Sequence, residues 1–527
     1  MPAAQPHWPY RYSVASGLTR WPTQAAPVSF CRMYFVVIGV FSLVLAFTAP
    51  PAAWVLVPER VILTAAVVAL LPAAVALYVT RRVLRLLERH PADPGHGQFA
   101  YGRGVFLVQS LIAVGQVGLM LFTNWLPLCR APFGSAPWPL LPGLLACVPL
   151  LLSMVLVWIA LYPADRAVRQ IALEVFLFRG KPAHPVWSLP RYLEYNFRHQ
   201  VLFVLIPMCI ILAVRDAVQF NDAGLRQMHP FLPDLLLGVT AGVVAIIAPV
   251  ILRYAWVTQP LPPGPLRDRL LALSRRLKMR FREILVWRSG GMIVNAAVMG
   301  VLAPLRYLMI TDAMLEQMDD VKIEAVFGHE AGHVKRRHIL FFLLLAFTTG
   351  CIVSIVSAKV EPLPRAAQDT AFAALGGLLI LKWGLLFGWI SRRFENQADI
   401  YGVRTLTLAG LPCRNPCLLH QDVAARPGDA PHRLCSTAAH VFGDTLNEVA
   451  VLNGIPPEAH GWRHPSISSR SRFLQKLAGD PGATRRFELA MAWVQAAILI
   501  ASVALAIWAA AELRLWRLVA PLLALLS

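Results

Sequence analysis

Nine predominantly apolar runs recur along this 527-residue chain, and they constrain its fold more than any other feature. They lie at about Met33–Thr48, Val61–Thr80, Val105–Leu128, Trp138–Tyr162, Val201–Val214, Asp234–Trp256, Ile339–Ser357, Ala371–Ile390 and Leu489–Ala511. A helix of about 20 apolar residues crosses a bilayer. Inside hydrocarbon each backbone polar group must be satisfied within its own segment, so the spanning form is helical. The chain therefore reads as a mainly α, polytopic membrane protein. Its composition agrees: 57% of residues are hydrophobic and only 15% charged, against about a quarter in soluble domains. The run Val201–Val214 is the weakest, since its length also suits a re-entrant segment. The run Met33–Thr48 reads as a signal anchor, because its Ala-Pro-Pro-Ala-Ala end is a poor cleavage site and further spans follow.

A net charge of +20 in a soluble protein would suggest nucleic acid. Here it is explained by loops that hold positive charge on one side of a membrane. With the N-terminus inside and the spans alternating, 39 of the 49 Lys and Arg residues fall inside and 8 outside, with Arg253 and Lys382 within spans. Were Val201–Val214 not to cross, the 13 positive charges of residues 258–338 would move outside, so the count argues that it crosses. The expected organisation is a cytoplasmic tail (1–32), six spans (33–257), a first extramembrane segment (258–338), a membrane hairpin (339–390), a second extramembrane segment (391–487), and a last span with its tail (488–527). Residues 163–200 read as a cytoplasmic loop with a short amphipathic helix. Gln259–Pro265 reads as a linker, and Leu266–Met279 as a helix. Phe281–Trp287, Ile293–Met299 and Tyr307–Ile310 read as strands.

The chemistry is concentrated in His329-Glu330-Ala331-Gly332-His333. Asp319 or Asp320 caps the helix that carries it, and Thr311 or Asp312 caps a shorter one before it. On a helix, residues four apart share a face, so His329 and His333 can present two imidazoles to one metal ion. Glu330 is badly placed to share that ion and well placed to take a proton from a metal-bound water. Two interfacial histidines beside a solvated glutamate would give the same five residues. This helix is expected to continue straight into the bilayer.

A catalytic zinc needs a third protein ligand. One arrangement puts a histidine six residues after the second and a glycine three after it; those positions are Ile339 and Arg336, which excludes it. His338 is one residue too early and stands beside the basic run Lys335-Arg336-Arg337, which reads as a membrane-interface collar. The other source is a distant carboxylate. Ser391-Arg392-Arg393-Phe394-Glu395 follows the hairpin, which returns the chain to the side it left. Glu395 and Asp399 are four apart on one helical face, so Glu395 can ligate while Asp399 accepts from a ligand histidine.

These residues together resemble the gluzincin membrane metalloproteases, the family of the CAAX prenyl endopeptidases and the HtpX heat-shock proteases. Asn295-Ala296 resembles the family's edge strand beside the substrate cleft. His464-Pro465 with Arg470 resembles its late His-Pro…Arg element. The resemblance covers about residues 265–475. It implies a small α+β zinc-metallopeptidase domain at the cytoplasmic face, holding one Zn2+ per chain through His329, His333 and Glu395, with Asp399 behind them. Glu330 is then the general base. His464 and Arg470 bind the oxyanion or the substrate backbone, and Asn295 and Ala296 pair with an extended substrate.

The expected function is an integral-membrane zinc endopeptidase acting on membrane or membrane-associated proteins, in contact with lipid and not with nucleic acid. Its expected location is a bacterial inner membrane with a cytoplasmic active site. The alternative is a non-catalytic scaffold or transporter that retains a structural metal site. Lys382 lies within a span and invites a functional role. Cys413, Cys417 and Cys435, near His420 and His432, have irregular spacing that favours structural thiols over a second metal. The tail Glu512–Ser527 reads as an amphipathic surface segment.

Overall fold

The computed structural model describes residues 57–514, except 134–140, 421–431 and the single positions 179, 181, 183, 231, 292, 415, 416, 454, 456 and 460. The first apolar run and the amphipathic tail beyond Arg514 therefore lie outside the described residues. Eight helical segments among those described are long and apolar enough to cross a membrane. They correspond one for one to the other eight runs. Their outward side chains are large and apolar, with Val114 71%, Trp493 75% and Ile500 67% exposed, as suits surfaces that face lipid.

The chain divides into two compact units, residues 1–204 with 450–459 and residues 205–449 with 460–527. In the first, α1 (Pro58–Arg89), α2 (Gly95–Phe122) and α3 (Val148–Phe178) pack around one core. Ala76, Val79, Val83 and Leu87 form the stripe that α1 contributes. At Gly97 and Gly104 a Cβ would come within 2.2 Å of Leu87 and Val79 side chains, so these glycines set how closely α1 and α2 approach. Several polar groups of this unit are paired. Thr80 Oγ1 donates to Ala160 O at 2.7 Å, and Tyr101 Oη and Arg169 Nε donate to Asp165 at 2.8 and 2.6 Å. The segment 163–200 is less loop-like than expected, because α3 runs on to Phe178. The run Val201–Val214 lies inside a longer helical stretch, Leu189–Phe220.

The second unit holds α4 (Leu232–Ala255) and a four-stranded sheet of order β1-β2-β4-β3. The strands are β1 (Thr258–Pro260), β2 (Glu283–Trp287), β3 (Ala296–Met299) and β4 (Tyr307–Thr311). β2 and β4 are parallel and central; β1 and β3 are antiparallel edges. β1 corrects the expected linker. Its proline sits on an edge strand, where the missing N–H costs no internal ladder bond. The turn into β3 uses Gly290 and Gly291, both at positive φ. Asp312 holds that turn by accepting from the backbone N–H groups of Ser289 and Gly290, each at 2.9 Å.

Among the unit's further helices, six bear on the site: α5 (Asp320–Lys335), α6 (His338–Val360), α7 (Arg365–Leu381), α8 (Gly388–Leu408), α9 (Ile467–Gly479) and α10 (Pro481–Glu512). Asp319 caps α5 by accepting from Lys322 N–H, and Thr311 caps the short helix Asp312–Gln317 in the same way. α7 and α8 are joined by a π-helical turn, Lys382–Phe387, into one helical run of 43 residues from Ala366 to Leu408. That is about 65 Å, roughly twice the hydrocarbon thickness. The second half of the run thus extends well past the apolar half as a rigid continuation. Lys382 is accounted for within this hairpin. Its Nζ donates to Leu345 O, Thr348 Oγ1 and Thr349 Oγ1 at 2.9, 2.7 and 2.7 Å, which pins the returning helix to α6.

α5 does not run straight into the bilayer. It ends at Lys335, and Arg337 adopts a left-handed conformation (φ 57°) before α6 starts at His338. The expected continuous helix is interrupted there, and the break redirects His338.

Candidate metal centre

Two helices, a strand edge and a late helix build the site. α5 carries His329, Glu330 and His333, and α8 carries Glu395 and Asp399. Two glycines on α5 let these helices touch. A Cβ on Gly328 would lie 2.6 Å from Thr405 Cβ, and one on Gly332 would lie 2.9 Å from both Ala398 Cα and Tyr401 Cβ. Backbone cannot yield as a side-chain tip can. Gly332→Ala is therefore expected to cost about 1–3 kcal/mol and to push Glu395 away from the histidines. The check is paired: a lower melting temperature together with weaker metal retention, against a drop in neither if the contact is slack.

The three donor atoms converge. His329 Nε2 and His333 Nε2 are 3.2 Å apart, and Glu395 oxygens lie 3.6 and 3.7 Å from them. Ligands at about 2.0–2.2 Å around a tetrahedral zinc stand about 3.4 Å from one another, so this donor set fits that ion. Ligand geometry is held from behind on three sides. Asp399 Oδ1 lies 2.9 Å from His329 Nδ1, a short contact that is not aligned as a hydrogen bond. His464 Nδ1 lies 3.1 Å from Glu395 Oε2. His338 Nδ1 lies 2.9 Å from His333 Nδ1, and its Nε2 lies 2.9 Å from Gln397 Oε1.

This last relay follows from the helix break. Five residues along an unbroken helix would place His333 and His338 about 140° apart. The left-handed Arg337 turns His338 back instead, fully buried and stacked on Phe394 with ring centroids 4.2 Å apart. One tautomer assignment satisfies every contact. With Nε2 of His333 facing the other donors, its Nδ1–H donates to His338 Nδ1, and His338 Nε2–H donates to Gln397. Neither His338 nor Gln397 had a signal in the sequence beyond its type. In the sequence His338 is one residue too early for a third ligand and stands beside the basic run Lys335-Arg336-Arg337.

Arg470, on α9, is buried with Asp399. Its Nε and Nη2 donate to the two Asp399 oxygens at 2.8 and 2.5 Å, and Nη2 lies 3.7 Å from Glu395. A planar guanidinium on a carboxylate in this two-point manner fixes both groups. Glu488 at the start of α10 is a second clamp. It accepts from Arg336 at 2.9 Å and Arg404 at 2.7 Å, and its other oxygen lies 2.5 Å from His432 Nδ1.

Glu330 lies beside the donor set and outside it. Val298 N–H, at the outer edge of β3, donates to Glu330 Oε2 at 2.9 Å. Strand alternation then turns the Ala296 N–H and C=O to the same open edge. Asn295 is exposed at the strand's start and bonded to Thr311, whose N–H donates to Asn295 O at 3.0 Å. Burial raises the Glu330 carboxyl from 4.5 to about 7 against the opposing pull of His329. Burial holds His333 well below its ordinary value. For His329 burial pulls downward, yet the contact with Asp399 outweighs it and leaves the ring more basic than usual. A cavity of about 530 Å³ opens beside His333, rimmed by Lys278, Arg280, Arg306 and Arg337.

Residues 262–478 match the model of peptidase family M48. A protease HtpX homolog from Methanopyrus kandleri is 28% identical over 180 residues, covering 32% of this chain and 52% of the relative. A CAAX prenyl protease 1 homolog from Arabidopsis thaliana is 27% identical over 175 residues, 30% of this chain and 40% of the relative. The chain thus spans about half the length of these two relatives, or less. A protease HtpX homolog from Neisseria meningitidis is 21% identical over 290 residues, 52% of this chain and 95% of the relative. The crystal structure of S. mikatae Ste24p aligns with a TM-score of 0.45 at 14% identity, covering 80% of this chain and 99% of that one. Residues 262–478 are thus similar to peptidase family M48, and parts of the chain are similar to proteases of the HtpX and CAAX prenyl protease kind.

Proposed function

We propose that the protein is an integral-membrane zinc endopeptidase that cuts membrane or membrane-associated proteins. The observation that carries this reading is the separation of roles among four neighbouring groups. Three donor groups, on His329, His333 and Glu395, are separated by about the distances that a tetrahedral zinc would need. The fourth group, Glu330, is turned from them to a strand edge. A purely structural metal site has no use for that carboxylate.

In the proposed reaction His329, His333 and Glu395 would hold the zinc, while Asp399 and His338 would fix the two rings from behind. Zinc bound there would polarise the scissile carbonyl and make a water acidic near neutral pH. Glu330 Oε2 takes the proton of the attacking water and hands it to the leaving amine. The substrate backbone pairs as an added strand with Ala296 and the open edge of β3, next to exposed Asn295. Such pairing reads backbone more than side chains, which suits broad sequence selectivity. His464 supplies the donor to the developing oxyanion. Arg470 acts as a positioning residue, since its nitrogens are engaged by Asp399. The concentration of Lys and Arg in alternate loops supports a cytoplasmic location for this face. The Arg-, Ala- and Pro-rich composition suits a GC-rich bacterial genome, and a bacterial inner membrane would be the corresponding location.

The test is metal removal. Chelation of the purified protein should abolish cleavage of an unfolded membrane protein, and stoichiometric zinc should restore it; cleavage that survives metal removal would sink the reading. A pH profile adds a second measure. Glu330 must be ionised to act, so the rate should fall with pH on the acid side. Burial sets the upper bound of that limb near 7, and the neighbouring cation draws it down towards 4.5. Glu330 governs the limb only if it falls within that window.

A further inference from the structure

We propose that Cys413, Cys417, His420 and Cys435 form a second zinc site, closed by four protein ligands and structural in role. Their donor atoms all lie within 4.8 Å of one another. Cys413 Sγ is 3.5 Å from Cys417 Sγ and 3.7 Å from Cys435 Sγ, and Cys417 Sγ is 3.1 Å from His420 Nδ1. Zinc bonds of about 2.3 Å to sulfur and about 2.0–2.1 Å to nitrogen put tetrahedral neighbours about 3.8 Å apart for two sulfurs and about 3.5 Å for sulfur and nitrogen. The two sulfur–sulfur separations are close to those edges, and the sulfur–nitrogen one is shorter.

A disulfide explains the arrangement less well. It would draw two sulfurs to about 2.0 Å and leave the third thiol and the imidazole without a reason to converge. Core filling explains it less well too. Cys417 and Cys435 are buried among Leu434, Leu446 and Phe442, but His420 is exposed, and its ring nitrogen is nonetheless turned onto a cysteine sulfur. Cys435 immediately precedes the helix Ser436–Leu452, and Ala438 N–H donates to its sulfur at 3.5 Å.

The site lacks a carboxylate and an open position, so it would hold a fold and not activate water. What it would hold is specific. Cys413 and Cys435 bracket the loop between α8 and the helix Ser436–Leu452. Cys417 and Cys435 share one apolar cluster with Val403 and Leu406 of α8 and Ala325 of α5. Phe442 of that cluster has its ring 6.3 Å from the His329 ring. A metal there would fasten the layer on which both ligand-bearing helices rest.

Metal analysis of the full chain, purified in detergent with reductant, decides the question. Wild type should hold two zinc equivalents and Glu395→Ala one. Cobalt-loaded Glu395→Ala should retain an intense sulfur-to-cobalt charge-transfer band, and Cys435→Ser should lose it. By peptide mapping, Cys413, Cys417 and Cys435 should resist alkylation until a chelator is added. A single wild-type zinc that Glu395→Ala no longer holds, copper in place of zinc, a disulfide among the three cysteines, or thiols that alkylate freely while metal is retained would each overturn the proposal. If Cys435→Ser fails to fold, the wild-type stoichiometry and the Glu395→Ala spectrum still decide it. Neither depends on whether the first site cleaves peptides.

Discussion

Glu330→Gln should keep its zinc and lose about 10²- to 10⁴-fold in cleavage rate, the range by which a positioned acid–base group accelerates proton transfer. The amide is isosteric, and its oxygen can still accept from Val298 N–H. The helix, the strand edge and the donor set are therefore preserved. What is lost is the proton acceptor. The variant should also be no less stable than wild type, because burial disfavours the ionised carboxylate that it removes. Zinc content, melting temperature and turnover measured on one preparation separate these effects. Wild-type turnover would exclude Glu330 as the base, and loss of zinc would show that it ligates.

Arg470→Met should have the largest effect on stability. It leaves Asp399 fully buried and without its two guanidinium donors. Breaking a buried ion pair from one side costs about 3–5 kcal/mol, because the remaining charge is uncompensated. The loss should reach the metal as well. Asp399 is the carboxylate against His329, and outer partners of this kind carry about 10- to 100-fold in metal affinity. Arg470→Lys should recover part of the stability and little of the affinity, since an ammonium cannot engage both oxygens in the plane. If Arg470 instead served only the oxyanion, Arg470→Met would lower turnover while leaving zinc affinity and melting temperature unchanged.

The parts of this molecule that were legible in the sequence share a cause: each is dictated by a short stretch of chain. Apolar runs of membrane-crossing length announce eight of the described helices. The four-residue spacing of His329 and His333, and of Glu395 and Asp399, puts each pair on one face because the helix repeats every 3.6 residues. Asp319 and Thr311 are caps by side-chain chemistry alone. Even the pairing of the two half-sites could be argued, because a hairpin of two spans must return the chain to the side it left.

What the tertiary structure decided depends on residues far apart in the chain or on one torsion. Arg470 lies 71 positions from Asp399, and no periodicity joins them. His338 reaches His333 only because Arg337 turns left-handed, and Arg is not a residue from which that would be read. Gly328 and Gly332 look like weak points in a helix until Thr405, Ala398 and Tyr401 are seen against them. β1 is disguised by its proline. The convergence of Cys413, Cys417, His420 and Cys435 was hidden by irregular spacing, since three of the four lie in or beside an irregular loop. The short motif His329–His333 thus determined the kind of chemistry through local geometry. Its partners, its backing and the open strand edge beside it were settled by packing, because side chains that meet across a core leave no periodic trace in the sequence.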